Sequence, residues 1–227
     1  MKALVLFSGG LDSSTCLALA VHQYGADNVT ALFCHYGQKH SKEAESAQTV
    51  AFHYGVQLKS LDLSLIFADS DCSLLKQSTQ DIPLGSYEMQ LKSTGGKPVS
   101  TYVPFRNGLF LSAAASIALS LGCHKIFYGA HADDAAGNAY PDTSVAFNEA
   151  ISKSIWIGSG RQLSLEAPFI DKTKAQVVKT GLELKVPFEK TWSCYEGSQK
   201  PCCRCGTCID RIRAFELNGT TDPLLGE

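Results

Sequence analysis

A glycine-rich turn between an apolar run and a helical pattern constrains the fold of this chain more than any other feature. Residues 3–7 are apolar, the turn reads Ser8-Gly9-Gly10-Leu11-Asp12-Ser13, and a helical pattern follows it. Adjacent glycines let the backbone approach an anion without a Cβ in the way, and the free N–H groups at a helix start attract negative charge. The turn has neither the Walker ending nor the three-glycine spacing of a dinucleotide fingerprint. It predicts a strand, a phosphate-binding loop and a helix.

Apolar strands and helical patterns alternate along the rest of the chain. Strands are predicted at 29–35, 58–62, 125–129 and 163–167, and helices at 41–54, 108–121, 148–157 and 171–184, the last with a capping box at 173–176. Such alternation predicts an α/β fold, a parallel doubly wound sheet of Rossmann-like type with ligands at the carboxyl ends of its strands. Residues 69–100 show no periodicity and predict a long mobile loop that could cover the site.

The composition indicates a protein with one sizeable core and argues against membrane and nucleic-acid partners. The chain has 227 residues, 44% of them hydrophobic, and a net charge of −2. It is long enough for one sizeable core, and no apolar run reaches the roughly 20 residues that span a bilayer. The N-terminus runs directly into a strand and does not resemble a signal peptide, so we expect a cytoplasmic protein without a membrane partner. The small net charge argues against a nucleic-acid partner.

The cysteines are concentrated near the C-terminus, where five of the nine lie at or beyond residue 194. Cys194, Cys202, Cys205 and Cys208 have spacings that suit a closed, tetrahedral, structural zinc site. An iron–sulfur cluster is the alternative, but the ferredoxin pattern requires a further Cys-Pro pair downstream. Cys203 is expected to remain unliganded. This pattern divides the chain into an α/β domain at 1–190 and a four-cysteine extension at 191–227 that is not an independent domain.

The loop and the cysteine cluster together resemble the 7-cyano-7-deazaguanine synthase family, whose members are ATP pyrophosphatases with an SGGxDS loop. The similarity covers nearly the whole chain and continues through residues 35–38, 103–107, 129–142 and 191–195. The chain departs from the family pattern at Phe105, where many members have glycine, and at Thr143-Ser144, where many have Cys-Arg. The resemblance implies the adenine nucleotide alpha hydrolase type of fold.

The resemblance also implies an activity. A carbon–nitrogen ligase of this family converts 7-carboxy-7-deazaguanine, ammonia and two ATP into 7-cyano-7-deazaguanine, AMP and pyrophosphate, in queuosine biosynthesis. The acid is adenylated first and its amide second, at one site. The expected cofactors are ATP as a substrate, Mg²⁺ and a structural Zn²⁺, and the expected assembly is a homodimer. The chain has no room for a glutaminase domain, so ammonia must come from solution or from a partner.

Candidate site residues follow from the loop, the resemblance and the chemistry. The ATP site is expected to comprise Phe7, Ser8, Gly9, Gly10, Leu11, Asp12, Ser13, Ser14, Thr15, Cys16 and Leu17. The expected catalytic residues are Ser8, Asp12, Ser13, Arg106 and Lys174, the last two as cations at the adenylate. Asp133 and Asp142, together with the neighbouring Asp134, are expected to bind the guanine-like edge of the substrate. Asp12 either orients the loop or contacts the metal, and His35 and His131 either transfer a proton or are structural.

Other interpretations share parts of this pattern. A tRNA sulfur transferase of the same loop class needs a catalytic cysteine near the loop and a basic face, whereas Cys16 lies within a helical pattern. NAD synthetase and the synthetase half of GMP synthetase share the loop but not the four cysteines. A zinc-stabilised nucleotide-binding regulator without turnover is a further alternative. Release of AMP and pyrophosphate on the deazaguanine substrate distinguishes the synthase from all of these.

Overall fold

One parallel sheet organises the molecule. The computed structural model describes residues 1–95 and 97–226. The strands are β1 (Ala3–Leu6), β2 (Val29–His35), β3 (Gln57–Asp62), β4 (Lys125–Phe127) and β5 (Ser164–Glu166). They pair in the order β3-β2-β1-β4-β5, and every pair is parallel. The predicted α/β class is therefore confirmed, and the order reverses direction between β1 and β4, where such sheets bind ligands.

Helices cover both faces of the sheet. The helices are α1 (Leu11–Tyr24), α2 (Lys42–Tyr54), α3 (Tyr87–Thr94), α4 (Arg106–Ser120), α5 (Ala132–Ala135), α6 (Val145–Gly158), α7 (Lys174–Glu183) and α8 (Gly206–Glu216). Alternate residues of β1 serve different cores, because successive side chains of a strand point to opposite faces. Ala3 and Val5 join a core with α1, α2, α7 and α8, whereas Leu4 joins one with α4 and α6. None of the described helices is long and apolar enough to cross a membrane.

The capping box predicted at residues 173–176 is present. Thr173 Oγ1 accepts a hydrogen bond from Gln176 N, and the Gln176 side chain accepts one from Thr173 N. Because Thr173 is the N-cap, α7 begins at Lys174 and not at the predicted Asp171. This places Lys174 in the first turn of α7, at the carboxyl edge of the sheet.

The segment 69–100 is more ordered than the sequence predicts. A helix, α3, forms after Ser86, whose Oγ accepts a hydrogen bond from Met89 N. Gly85 N donates to Arg204 O at 2.9 Å, and Leu84 forms an isolated antiparallel bridge with Cys205. The expectation of a segment without regular structure is therefore wrong at α3, although Gly96 lies outside the described residues.

The C-terminal extension packs onto the domain through α8. Arg211 is 2% exposed and forms a two-point ion pair with Asp222, at 2.6 and 2.8 Å. Its guanidinium also donates to Thr191 Oγ1 and Phe188 O, and Phe215 lies in the same core as α1. The buried, hydrogen-bonded Arg211 and the apolar Phe215 therefore contact residues on the other side of the predicted division at 190. The division itself stays a prediction, and Glu227 lies outside the described residues.

Candidate active site

A cavity of about 220 Å³ opens where the strand order reverses. Its floor comes from the residues that follow β1, β2 and β4, and its walls come from the glycine loop, α4 and the C-terminal extension. The residues that line it include Ser8, Gly10, Asp12, Ser13, Tyr36, Glu43, Tyr87, Arg106, Asn107, Asp134, Tyr140, Thr143, Lys174, Ser193, Tyr195 and Thr207. This is the position at which an open parallel sheet binds its ligand.

Gly9 gives the loop its close contact with α2. Its φ is +80°, a left-handed conformation that favours glycine, and a Cβ there would lie 2.4 Å from Ala47 N. Ser46 Oγ donates to Gly9 O at 2.8 Å. The glycine therefore allows the loop to lie directly on α2, and the serine holds it there.

Ser8 and Ser13 brace the loop from within. Their hydroxyl oxygens are 3.0 Å apart, Ser13 Oγ also accepts from Ser8 N, and Ser8 Oγ accepts from Gly10 N at 3.2 Å. Both serines line the cavity at the start of α1. The arrangement presents hydroxyl groups and the start of a helix to the cavity, which is suitable for an anion.

Asp12 and Lys174 form a buried ion pair beside the loop. Lys174 Nζ lies 2.9 Å from Asp12 Oδ2, and the lysine side chain is 9% exposed. Burial alone would raise the pKa of Asp12, but the charges of Lys174 and His131 hold that pKa well below its usual value. Burial would likewise lower the pKa of Lys174, but Asp12 and Asp134 raise it above its usual value. Lys174 therefore stays charged in the cavity wall.

His131 connects this pair to a second carboxylate. Its Nε2 lies 3.5 Å from Asp12 Oδ1, 3.4 Å from Asp134 Oδ1 and 3.3 Å from Lys174 Nζ. Burial opposes the charged form of His131, but Asp134 and Asp12 raise its pKa overall. Of the two predicted histidines, the structure brings His131 to the Asp12–Lys174 pair, whereas His35 ends β2 and lies against Phe33.

Arg106 supplies the second cation of the cavity wall. Its guanidinium carbon lies 4.9 Å from the centre of the Tyr36 ring, a cation–π distance. Burial disfavours its charge, but Tyr36, Tyr195, Glu43 and Asp142 raise its pKa above the usual value. Arg106 and Lys174 thus present two permanent positive charges to one cavity.

Three tyrosine hydroxyls meet in the wall of the cavity. Tyr87 Oη lies 2.7 Å from Tyr195 Oη, and Tyr140 Oη lies 3.1 Å from Tyr195 Oη and 2.6 Å from Thr101 Oγ1. Burial raises the pKa of all three phenols, so they remain neutral donors and acceptors. The trio joins α3, the segment before α6 and the C-terminal extension around the cavity.

The predicted site residues divide into two groups. Phe7, Ser8, Gly10, Asp12 and Ser13 line the cavity together with Arg106 and Lys174. The remaining members of the predicted ATP segment are Gly9, which contacts α2, and Leu11, Ser14, Thr15, Cys16 and Leu17, which are buried in α1. The structure thus places the first part of the segment at the cavity and the second part within the helix.

Asp133 and Asp142 do not line the cavity. Asp133 Oδ2 accepts a hydrogen bond from Lys174 N at 2.8 Å, and Asp142 Oδ2 accepts one from Asn107 N at 2.8 Å. Both carboxylates satisfy backbone donors at helix starts, where negative charge is favourable. Asp142 is 3% exposed, and its other oxygen has no partner among the described residues. Their binding of substrate stays a prediction.

The two departures from the family pattern have clear positions. Phe105 precedes α4 with a φ of +54°, a conformation that favours glycine, and its ring lies where a Cβ on Gly108 would be 2.4 Å away. Thr143 lines the cavity, and Ser144 caps α6 by accepting a hydrogen bond from Phe147 N. Among the described residues, Arg106 and Lys174 are the Arg and Lys side chains that line this cavity, and both lie outside the altered pair Thr143-Ser144.

The four predicted metal ligands converge. The sulfur atoms of Cys194, Cys202, Cys205 and Cys208 lie within 4.8 Å of one another, and those of Cys202 and Cys208 are 4.0 Å apart. Four sulfurs bound to one zinc at about 2.3 Å in a tetrahedron lie about 3.8 Å apart, so the donor set fits. Backbone N–H groups of Cys202 and Glu196 point at Cys194 Sγ, as expected for a thiolate. Cys203 is exposed and outside the cluster.

Several cavity residues escaped prediction. Tyr195 follows a predicted ligand, Cys194, and Ser193 precedes it, so their position was recoverable once the cluster was placed beside the loop. Glu43 lies in the first turn of a predicted helix, but nothing in its spacing indicates that it faces a cavity. Tyr87 comes from a segment without periodicity. Contacts of α3 with Tyr195 of the C-terminal extension and with Tyr140 bring it to the site.

Cys16, the cysteine nearest the loop, is poorly suited to nucleophilic chemistry. It is fully buried in α1, and burial together with the charge of Asp12 raises the pKa of its thiol well above the usual value. The structure therefore offers no support at Cys16 for the sulfur-transfer alternative.

Comparison with known proteins gives a consistent result. A sequence model for queuosine biosynthesis protein QueC matches residues 2–219. A 7-cyano-7-deazaguanine synthase from Caldicellulosiruptor saccharolyticus is 44% identical over 224 residues, covering 99% of this chain and 95% of the relative. A 7-cyano-7-deazaguanine synthase from Archaeoglobus fulgidus is 40% identical over 228 residues, covering 100% of this chain and 91% of the relative.

A solved structure supports the fold alone. The NMN synthetase from Francisella tularensis superposes with a TM-score of 0.53 at 16% identity, covering 97% of this chain and 78% of that chain. Both chains therefore share an α/β architecture.

Proposed function

The chain belongs to the family of queuosine biosynthesis protein QueC, and from this premise we propose that it is a 7-cyano-7-deazaguanine synthase. The observation that carries the proposal is the cavity at the strand-order reversal, where a loop suited to an anion lies beside two cations, the buried Lys174 and the partly buried Arg106. Its substrates are 7-carboxy-7-deazaguanine, ammonia and ATP, and its products are the nitrile, AMP and pyrophosphate.

The chemistry requires two adenylations. In the first, a carboxylate oxygen of the substrate attacks the α-phosphorus of ATP, the bond to the bridging oxygen breaks, and pyrophosphate leaves. Ammonia then displaces AMP to form an amide. In the second, the amide oxygen is adenylated, and loss of AMP leaves the nitrile. Both rounds need the same charge neutralisation at the phosphates.

The loop, the two cations and the tyrosine trio of the cavity have roles in this scheme. The backbone N–H groups after Gly10 and the hydroxyls of Ser8 and Ser13 hold the leaving pyrophosphate. Lys174, kept charged by Asp12, stabilises the negative charge that develops at the α-phosphorus, and Arg106 holds the carboxylate or its adenylate. The donor and acceptor hydroxyls of the tyrosine trio suit the polar edge of the deazaguanine ring.

Two metals accompany the reaction. Zinc fits the four-cysteine cluster, where it has a structural role because four protein ligands leave no open position. Magnesium is the usual partner of ATP phosphates, whose charge it neutralises. Asp12 lines the cavity, and its Oδ1 is buried, lies 3.5 Å from His131 Nε2 and has no hydrogen-bond partner among the described residues, so Asp12 is the carboxylate that would hold the ion.

A substrate assay tests the proposal. The purified protein is incubated with 7-carboxy-7-deazaguanine, ammonium, ATP and Mg²⁺, and the products are followed by chromatography and mass spectrometry. We expect AMP and pyrophosphate, with the amide appearing before the nitrile. Release of ADP and phosphate would contradict the mechanism. AMP formation that requires tRNA and a sulfur donor would favour a sulfur transferase, and ATP binding without turnover would favour a regulator.

The assembly and location complete the proposal. We propose a homodimer in the cytoplasm that acts on small molecules without nucleic acid. The resemblance supports the dimer, and the small net charge supports the absence of a nucleic-acid partner. Sedimentation of the purified protein tests the dimer directly.

A further inference from the structure

Glu43 occupies a central position that the scheme above does not use. It lies in the first turn of α2 and lines the cavity together with Tyr36 and Arg106. Its backbone lies against the glycine loop, because a Cβ on Gly9 would lie 2.8 Å from Glu43 O. The residue therefore lies beside the loop, where the α-phosphorus and the reacting carbon of the substrate must come together.

The carboxylate of Glu43 is uncommitted. It forms no hydrogen bond or ion pair with the part of the chain that the structure describes, and the charge of the nearby Arg106 favours its ionised form. The other cavity-lining carboxylates are engaged, since Asp12 pairs with Lys174 and Asp134 contacts His131. Burial raises the pKa of Glu43 above its usual value despite Arg106. A carboxylate with a raised pKa is a better proton acceptor near neutral pH.

The proposed reaction needs a proton acceptor beside nitrogen. In neutral water, ammonia is almost entirely ammonium, which has no lone pair with which to attack. In the second round, the adenylated amide must lose both N–H protons to become a nitrile. None of the roles assigned to Lys174, Arg106 or the loop removes a proton from nitrogen.

We propose that Glu43 is the catalytic base that accepts a proton from nitrogen in both rounds, an inference that rests on the proposed function. In the first round, ammonium gives one proton to Glu43, and the nitrogen lone pair forms a bond to the carbonyl carbon of the acyl adenylate. The C–O bond to AMP then breaks, and the second surplus proton leaves on the AMP phosphate. Amide, AMP and protonated Glu43 are the products.

The second round has the same proton balance. Adenylation of the amide oxygen gives a C=NH₂⁺ group, which gives one proton to Glu43. The electron pair of the remaining N–H bond forms the third carbon–nitrogen bond as the C–O bond breaks, and that proton leaves on AMP. Between rounds, Glu43 returns its proton to solvent through the open cavity. One base therefore serves both steps at one site.

The variant Glu43→Gln tests this role in three assays. Exchange of labelled pyrophosphate into ATP, with 7-carboxy-7-deazaguanine and no ammonium, reports adenylation alone, and we expect it to stay within about twofold of wild type. Amide formation from ammonium should fall about 100-fold or more, the usual contribution of general base catalysis. Hydroxamate formation from hydroxylamine, which is mostly unprotonated at neutral pH, should be retained because that nucleophile needs no base.

Matched variants separate catalysis from folding. Glu45→Gln lies on the same helix at an exposed position bonded to Ser41 and Lys42, and all three activities should be unchanged. Glu43→Asp should recover part of the ammonium-dependent rate. If the Glu43→Gln protein fails to fold, as judged by thermal denaturation, the Glu43→Asp variant is compared in the same assays, and an ammonium-dependent rate equal to wild type would overturn the proposal.

Other outcomes also count against Glu43 as the base. Loss of pyrophosphate exchange in Glu43→Gln would assign the residue to ATP, metal or substrate binding. An unchanged ammonium-dependent rate would remove it from the mechanism, and equal loss with hydroxylamine would exclude ammonium deprotonation as its task. If wild-type protein shows no exchange with 7-carboxy-7-deazaguanine, the proposed function fails, which is a different result from any of these.

Discussion

A lysine inside a protein keeps its charge only where neighbouring carboxylates compensate for lost hydration, and Lys174 has such neighbours. Asp12 pairs with its Nζ at 2.9 Å, and the charge of Asp134 also raises its pKa. The ion pair with Asp12 fixes the direction of the side chain, so the ammonium group needs little reorganisation when an anion arrives. Preorganised charge of this kind is usually the largest contribution to catalysis at phosphates.

Replacement of Lys174 tests this contribution. We expect Lys174→Met to lower substrate-dependent pyrophosphate exchange about 100-fold to 1000-fold, because the charge at the α-phosphorus is lost. Lys172→Met, an exposed neighbour of Asp171, is the control and should leave exchange unchanged. Exchange at the wild-type rate in a folded Lys174→Met protein would remove this lysine from the adenylation step.

Secondary-structure elements bring these residues to the cavity through their ends. The starts of α1, α2, α4 and α7 all lie at the carboxyl edge of the sheet, and they carry Asp12, Glu43, Arg106 and Lys174. A change at a helix start therefore affects both stability and the site. The capping box of α7 is the clearest case, since its N-cap directly precedes Lys174.

The capping box gives a prediction at the scale of the element. Thr173→Ala removes the acceptor for Gln176 N and should lower the free energy of unfolding by about 1 kcal/mol. Lys179→Ala, exposed on the same helix, should change it by less. Chemical denaturation measures both variants. A Thr173→Ala protein as stable as wild type would mean that tertiary packing alone holds the start of α7.

Across the whole molecule, the C-terminal extension forms part of the site. Trp192 N donates to Gly9 O at 3.0 Å, and Ser193, Tyr195 and Thr207 line the cavity. Because Ser193, Tyr195 and Thr207 flank Cys194 and Cys208, a metal bound by the four cysteines would hold a wall of the cavity as well as the end of the chain. A structural metal site contributes its binding free energy to folding.

Metal removal tests this coupling. We expect about one zinc per chain, and Cys205→Ser should lose it, melt at a lower temperature and lose substrate-dependent AMP release. Cys203→Ser, at the exposed cysteine outside the cluster, is the matched control and should retain metal and activity. Elemental analysis and thermal denaturation measure both. An iron-coloured preparation, or a Cys205→Ser protein with full zinc, would contradict the assignment.

Local sequence patterns account for most of the strands and helices that the sequence predicts. The strands and the helices α1, α2, α4, α6 and α7 were recognisable because hydrophobic periodicity and caps depend on nearby residues. The helix α3 and the cavity tyrosines were not, because Tyr87 and Tyr140 are neighbours only through distant contacts. The positions of the carboxylates likewise depend on contacts between residues that are distant in the sequence. Substrate binding by Asp142 stays a prediction, and only the structure shows that this carboxylate accepts a hydrogen bond from Asn107 N. No local pattern distinguishes Glu43, which lines the cavity.

The sequence by itself determined the class of fold, the glycine-rich loop between β1 and α1 and the four converging cysteines, because each depends on residue type at short spacing. Only the tertiary structure decided which charged groups face the cavity. That choice follows from burial and from competition for backbone hydrogen bonds, which engage Asp133 and Asp142 and leave Glu43 uncommitted. It depends on contacts among four helix starts and the C-terminal extension, which no local pattern encodes.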